Sequence, residues 1–178
     1  MTELSYRIRD LENHRVDISL ALSRELLADA VDDMDADLDS CAIGLTGHLS
    51  KHNVTVQYDG SLQGRLTLPC SRCLGPARLP IEIPVHTVFV PEPKIPLEDR
   101  TTEPEADDLD FAHHDGEIVD LAPIVREYII LAVPLIILCK DGCLGLCPQC
   151  GIDRNVAACS CPPPPVIGPL AALKSIKL

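Results

Sequence analysis

Cysteine placement is the feature that most constrains how this chain can fold. Nine cysteines occur among 178 residues, and six of them fall in one stretch, LCKDGCLGLCPQCGIDRNVAACSC, at 138–161. Two more form a C-x2-C pair in LPCSRCLG, at 68–75. Thiols at this density form disulfides, carry out redox chemistry or bind metal, and each possibility implies a different function.

The rest of the chain indicates a reducing compartment. The first residues, MTELSYRIRDLENH, lack the charged and then apolar segments of a secretory signal peptide. The longest uncharged apolar run, at 128–138, is much shorter than the roughly 20 residues that a membrane-spanning helix needs. We therefore expect a cytoplasmic protein with no membrane partner, in which clustered cysteines are more often metal-binding or catalytic than disulfide-bonded.

The spacing of the thiols predicts structural zinc, because such a site takes four sulfur or nitrogen ligands, often from two C-x2-C pairs. The preferred partition has two four-thiolate sites. Site one takes Cys70, Cys73, Cys139 and Cys143, and site two takes Cys147, Cys150, Cys159 and Cys161. The alternative is one site made from both C-x2-C pairs, so one or two zinc ions are expected. Cys41 is interpreted as a small hydrophobic residue buried in a strand.

Other uses of these thiols fit the sequence less well. A redox C-x2-C pair opens a helix after a strand, whereas CSRCLGPARLPIEI leads into another strand. A zinc deaminase needs H-x-E ahead of P-C-x-x-C, and none precedes Cys70. His113-His114 is interpreted as polar loop residues. No nucleophile elbow, phosphate-binding loop or Ser-His-Asp arrangement is found, so no catalytic residue is predicted and the protein is expected not to be an enzyme.

Hydrophobic periodicity predicts an α+β fold, with an antiparallel sheet or small barrel-like core, a helix in the C-terminal half and a Cys-rich zinc-binding module. A short helix is expected at 23–32, capped by Ser23, and strands at 41–51 and 77–90. The run between them is expected to break at an Asp59-Gly60 turn. Prolines place 77–90 at an edge or bulge. A second helix is expected after an Asp120 cap and ends at Pro134.

Charge and composition suggest three parts. These are an α+β domain at 1–138 with an acidic loop at 91–116, a zinc module at 139–161, and a Pro-rich, basic tail at 162–178. The net charge of −12 argues against nucleic-acid binding through overall charge. The acids concentrate at 29–39 and 91–120, so a local basic surface remains compatible with the sequence.

Three segments together resemble a known family: LPCSRCL, GEIVDLAPIVREYIILAVPLIILC and CLGLCPQCGIDRN with the following CSC. They are similar to the YceD-like family of bacteria and plastids, also described as large ribosomal RNA subunit accumulation proteins. The resemblance implies a role in accumulation or assembly of large-subunit ribosomal RNA, with that RNA or a pre-ribosomal particle as partner. It also implies that some members keep only the ligands of site one, which agrees with two separable sites.

If RNA is bound, the contacts would come from scattered basic residues near the thiol turns and in the tail: Arg65, Arg72, Arg78, Lys140, Arg154, Lys174 and Lys177. So few cations predict weak or partner-assisted binding. The alternative is a zinc-stabilised adaptor whose acidic loop binds a basic ribosomal protein. A thiol oxidoreductase is a third hypothesis.

Overall fold

A computed structural model describes residues 3–11, 15–92 and 111–162. Its main element is a five-stranded sheet with the order β2-β3-β4-β5-β6. The strands are β2 (Val16–Ala21), β3 (Ala42–His52), β4 (Thr55–Pro69), β5 (Pro76–Pro91) and β6 (Phe111–His114). Neighbours pair antiparallel, except that β6 runs parallel to the end of β5.

Two strands and two helices complete the regular structure of the described residues. Strands β1 (Ser5–Arg7) and β7 (Ile118–Asp120) form a two-stranded antiparallel sheet. The helices are α1 (Arg24–Ala30) and α2 (Ala122–Ala132), and short 3-10 helices lie at Ile8–Leu11, Asp32–Met34 and Leu38–Ser40. The predicted α+β class is confirmed, and the pairing describes an open sheet.

The two helices pack with the sheet around one apolar core. Leu27 of α1 and Val125 and Ile129 of α2 belong to the same buried cluster as residues of β2 to β5, including Tyr58 and Val85. The helix predicted after Ser23 is confirmed, since the Ser23 hydroxyl accepts a hydrogen bond from the backbone of the first turn. The core is therefore built from alternate strand residues and one stripe of each helix.

The turn predicted at Asp59-Gly60 is wrong, because β4 runs through both residues without a break. Gly60 pairs with Gly47 of β3, and the Tyr58 side chain occupies the space beside them. The Tyr58 hydroxyl donates to the Thr46 carbonyl at 3.1 Å. Glycine is required here because a tyrosine ring and a neighbouring strand approach the backbone closely. The Asp-Gly sequence is the same as that of a turn, so the local pattern does not separate the two cases.

The prolines of β5 lie where the sheet has an edge. Pro80 and Pro84 pair with β4 on one side, while β6 pairs only with Val88–Pro91 at the far end of the strand. Among the described residues, the middle of β5 therefore has one strand neighbour. Proline lacks a backbone donor and is tolerated there.

The second helix begins one residue later than predicted. Asp120 is the last residue of β7, and its carboxylate accepts a hydrogen bond from the Ala122 backbone at 3.0 Å. Leu121 holds the cap position, so Asp120 supports the first turn from just outside it. Pro134 follows the helix, as predicted.

The structure also differs from the predicted acidic loop at 91–116. Residues 111–114 form β6, since the alternation of Phe111 to His114 fits the sheet edge beside β5. Residues 93–110 of that loop, and 163–178 of the predicted tail, lie outside the described residues. Within the described ranges, neither helix is long and apolar enough to cross a membrane.

Candidate metal centres

Cluster one, formed by Cys70, Cys73, Cys139 and Cys143, starts in the connection between β4 and β5. That connection is a tight turn in which the Leu74 N–H donates to the Cys70 carbonyl at 2.9 Å. The Cys70 N–H in turn donates to the Gly75 carbonyl at 2.8 Å. The turn directs the first two thiols of the cluster to one side.

The segment after α2 brings the other two thiols to this turn. Ser71 and Ile137 exchange two hydrogen bonds: the Ser71 N–H donates to the Ile137 carbonyl at 2.8 Å, and the Ile137 N–H donates to the Ser71 hydroxyl at 3.0 Å. A further turn, from the Cys143 N–H to the Lys140 carbonyl at 3.0 Å, places Cys143 beside Cys139. Cysteines about 70 residues apart in the chain therefore meet.

The four sulfurs of cluster one have the spacing of a tetrahedral zinc site. Cys70 Sγ lies 3.7 Å from Cys143 Sγ, and Cys73 Sγ lies 3.7 Å from Cys139 Sγ. All four lie within 4.8 Å of one another. A tetrahedron with Zn–S distances of about 2.3 Å has edges of about 3.8 Å. The donor set is also the soft one that zinc favours.

Hydrogen bonds make the ligand charges of cluster one unequal. Burial raises the pKa of the Cys70 thiol, but the backbone N–H groups of Arg72, Cys139 and Cys73 outweigh it and lower that pKa to about 6. Burial of its sulfur, followed by contacts with the other thiols, raises the pKa of Cys139 to about 12, although the residue as a whole is exposed. The thiols of the metal-free cluster therefore differ in pKa, and metal binding, which requires thiolates, releases protons.

Cluster two, formed by Cys147, Cys150, Cys159 and Cys161, repeats the same turn. The Gly151 N–H donates to the Cys147 carbonyl at 2.9 Å, and the Cys147 N–H donates to the Ile152 carbonyl at 2.9 Å. These are the positions that Leu74, Cys70 and Gly75 hold in cluster one. The fifth residue of each turn has left-handed backbone, with φ of 61° at Leu74 and 73° at Gly151. The sulfurs of cluster two also lie within 4.8 Å of one another.

The electrostatics of cluster two follow the same pattern. The backbone N–H groups of Cys150 and Gln149 lower the pKa of the Cys147 thiol to about 6. Contact with the Cys150 thiol, together with burial, raises the pKa of Cys161 to about 12. The first cysteine of each C-x2-C pair therefore has a lowered pKa.

The eight thiols fall into the two groups of the preferred partition, and the two C-x2-C pairs lie in different clusters. All nine cysteines are described, and none is in a disulfide. Cys41 precedes β3 and is half-buried against the core, where its sulfur accepts the Thr67 N–H at 3.3 Å. It stands apart from both clusters.

Two residues have roles that the sequence did not predict. Asn155 donates from Nδ2 to Cys143 Sγ at 3.3 Å, a contact that no spacing rule reveals. His114, expected in a polar loop, is buried. Its Nδ1 accepts the Gly116 N–H at 3.0 Å and its Nε2 donates to the Val54 carbonyl at 3.0 Å, so this ring supports β6 as a neutral tautomer.

Three of the predicted basic residues lie around the clusters, and all are exposed. Arg72 donates from Nη1 to the Cys143 carbonyl at 2.9 Å, Lys140 lies in the turn before Cys143, and Arg154 follows the turn of cluster two. Arg65 and Arg78 are exposed on β4 and β5. Lys174 and Lys177 lie outside the described residues.

These features define a small α+β protein with one four-thiol cluster at the turn between its longest strands and a second in the segment that follows. The family described as large ribosomal RNA subunit accumulation protein YceD matches residues 58–177. The chain belongs to this family. The match begins in β4 and includes every cysteine of both clusters.

Curated relatives agree with this membership. "Uncharacterized protein YlbN" of Bacillus subtilis is 33% identical over 102 residues, which cover 57% of this chain and 54% of the relative. "Large ribosomal RNA subunit accumulation protein YCED homolog 1, chloroplastic" of Zea mays is 28% identical over 144 residues, 68% of this chain and 48% of the relative. The chain therefore spans about half the length of these relatives. No solved structure matches it.

Proposed function

We propose that this protein is a non-enzymatic factor for the accumulation of large-subunit ribosomal RNA, and that two structural zinc ions hold its C-terminal region. The proposed role in ribosomal RNA accumulation rests on family membership and on the name of the maize relative. The proposal for zinc rests on two groups of four sulfurs, each within 4.8 Å of one another, and on the 3.7 Å distances in cluster one, which match a tetrahedral site. Zinc would supply a folding cross-link in each cluster, since structural sites contribute directly to folding free energy.

Metal analysis of the full chain, purified under reducing conditions, tests the zinc proposal. Two zinc ions per chain are expected. Cys70→Ser should lower the content toward one, whereas Cys41→Ser should leave it at two, because Cys41 lies in neither cluster. A metal-free chain with rapid thiol turnover would instead support the oxidoreductase hypothesis.

The function in RNA accumulation is tested in the cells from which the chain comes. Removing the gene should lower the ratio of large-subunit to small-subunit ribosomal RNA. The full chain should restore the ratio, and so should Cys41→Ser. An unchanged ratio in the deletion would overturn the proposal.

Direct RNA contact is expected to be weak. The five basic candidates among the described residues are Arg65, Arg72, Arg78, Lys140 and Arg154. Five phosphate contacts predict a slope of roughly −3.5 for log K against log salt on single-stranded RNA. Gel shifts with large-subunit fragments at several salt concentrations measure that slope, and no binding at low salt would remove the direct-contact version.

A second candidate function, an adaptor for a basic ribosomal protein, is favoured by one surface. The acidic segment of Asp29 to Asp39 carries six aspartates, all exposed. Arg126 pairs with Asp29, and Arg24 pairs with Asp39, while the intervening acids cover the 3-10 turns after α1. Pulldowns with and without ribonuclease separate the two functions, since partners that survive ribonuclease favour the adaptor.

A further inference from the structure

The two clusters share a short connector at 144–146, because Cys143 belongs to cluster one and Cys147 to cluster two. The connector is attached to the turn of cluster one: the Leu146 N–H donates to the Arg72 carbonyl at 3.0 Å. The connector is also attached to the loop of cluster two. The clusters are therefore joined by more than the covalent chain.

The attachment to cluster two involves the residues that follow its turn. The Arg154 N–H donates to the Gly145 carbonyl at 3.0 Å, and Leu146 forms an antiparallel bridge with Asp153. A Cβ at Gly145 would lie 2.9 Å from the Arg72 carbonyl oxygen. The connector is thus packed closely between the turn of one cluster and the loop of the other.

Asn155 makes the contact that reaches a ligand atom. Its Oδ1 accepts the Leu144 N–H at 2.9 Å. Its Nδ2 donates to Cys143 Sγ at 3.3 Å and to Asp153 Oδ1 at 2.7 Å. Asp153 Oδ1 also accepts the Asn155 N–H at 2.8 Å. Because oxygen and nitrogen of the amide both have fixed partners, the donor is held toward the sulfur of cluster one.

Asn155 itself lies in the loop that cluster two closes, between Cys150 and Cys159. An ion in cluster two would fix both ends of that loop. Without the ion, the loop must be ordered by its own hydrogen bonds against the conformational entropy of the chain. The orientation of Asn155 toward Cys143 then becomes less well maintained.

The contact matters because four thiolates around Zn²⁺ carry a net negative charge. An N–H donor to one sulfur stabilises that charge, and loss of such outer-shell partners typically costs about 10–100-fold in metal affinity. We propose that the two clusters bind metal as a coupled pair, with Asn155 as the positioning residue through which an ion in cluster two slows metal loss from cluster one. This coupling rests on the proposed metal centres.

A chelator chase on the full zinc-loaded chain tests the coupling. Thiols freed by metal loss are alkylated at timed intervals, and peptide mass spectrometry assigns the label to Cys70 and Cys73 or to Cys159 and Cys161. Asn155→Ala should speed labelling of Cys70 and Cys73 by about 10–100-fold. The matched control is Gln149→Ala, since the Gln149 amide also lies in the segment of cluster two but donates to the Pro162 carbonyl, and the substitution keeps the backbone N–H beside Cys147. It should leave the rate unchanged.

Removing two ligands of cluster two should also speed metal loss from cluster one. The Cys159→Ser/Cys161→Ser chain should also lose metal from Cys70 and Cys73 about 10–100-fold faster. Adding Asn155→Ala to that chain should change the rate little further, because both changes remove one contact. Hydrogen exchange of β4 checks that each variant keeps its sheet.

The outcomes separate the two proposals. If cluster one releases its ion at the same rate with cluster two intact and disabled, the coupling is overturned while the metal centres stand. Additive effects of Asn155→Ala and the double serine variant overturn Asn155 as the connection. A wild-type chain without bound metal overturns the metal centres themselves. Reciprocity provides a further check at equilibrium: an ion in cluster one must strengthen metal binding at cluster two by the same factor by which an ion in cluster two strengthens binding at cluster one.

Discussion

Leu74 occupies a backbone conformation that its side chain disfavours. Its φ is 61°, in the left-handed region where a residue with a Cβ costs about 1–2 kcal/mol. The side chain is 68% exposed, so it gains little by burial in the monomer. The equivalent position of cluster two is Gly151, which adopts the conformation without this cost.

Exchanging the residue types at these two positions should have opposite effects. Leu74→Gly is expected to raise the free energy of unfolding by roughly 1 kcal/mol, and Gly151→Ala to lower it by a similar amount. Urea unfolding of the metal-loaded chain measures both. Leu74→Ala is the control, because it removes the side chain and keeps the unfavourable backbone. A stabilisation by Leu74→Ala equal to that of Leu74→Gly would contradict the argument.

Gly60 offers a sharper test at residue scale. A Cβ there would overlap the Thr46 carbonyl oxygen and lie 2.7 Å from Tyr58 Cζ. Gly60→Ala is therefore expected to destabilise the fold by about 1–3 kcal/mol through overpacking. Gly142→Ala is the matched control, because a Cβ at Gly142 meets nothing within 4 Å. Thermal or urea unfolding distinguishes them, and equal stability of the two variants would contradict the packing of Tyr58.

At the scale of elements, the turn between β6 and β7 depends on Asp115. Its carboxylate accepts the Ile118 N–H at 2.8 Å and the Glu117 N–H at 2.7 Å. These two hydrogen bonds, that of Ile118 first, lower the pKa of Asp115. Asp115 thus stabilises the folded chain above its unfolded pKa, and this contribution disappears as pH falls through the lower folded value.

The side-chain carboxyl ¹³C shift of Asp115, followed from pH 7 to 2, measures this directly. We expect a midpoint below the ordinary aspartate value, with the signal assigned by its loss in Asp115→Asn. A midpoint at or above the ordinary value would mean that the two backbone donors do not hold the carboxylate in solution.

An element could be predicted from the sequence when the interactions that form it involve residues close together in the chain. The first helix followed from Ser23, whose hydroxyl caps the turn next to it, and β5 followed from alternation. The break predicted at Gly60 was wrong because this glycine accommodates the Tyr58 ring of its own strand against Gly47 of the neighbouring strand. Strand β6 was missed because a parallel partner distant in sequence decides it.

At the scale of the whole molecule, metal removal should loosen one region rather than the whole. Cluster one attaches the segment after α2 to the β4–β5 turn, while the core of β2 to β5 is built from other residues. Chelation should therefore remove hydrogen-exchange protection at 137–162 and 70–75, and β4 should stay protected. Hydrogen-exchange mass spectrometry checks this, and loss of protection across the sheet would contradict it.

The candidate site was largely predictable because thiols carry their chemistry in their spacing. The grouping of Cys147 with Cys161 is local, and the link from Cys139 to Cys70 needed the additional idea of a helix returning to a strand turn. Asn155 could not be predicted, since its contact with Cys143 depends on how two turns pack. The sequence therefore predicts the metal ligands better than it predicts the residues that contact those ligands.

The long separation within cluster one has a consequence during synthesis. Cys73 and Cys139 are 66 residues apart, so at 5–20 residues per second the first pair of thiols emerges roughly 3–13 seconds before its partners. Cluster two closes within its own short segment. A nascent or truncated chain ending before residue 139 can form the sheet turn and not the first cross-link. Completion of cluster one therefore reports that synthesis has passed Cys143.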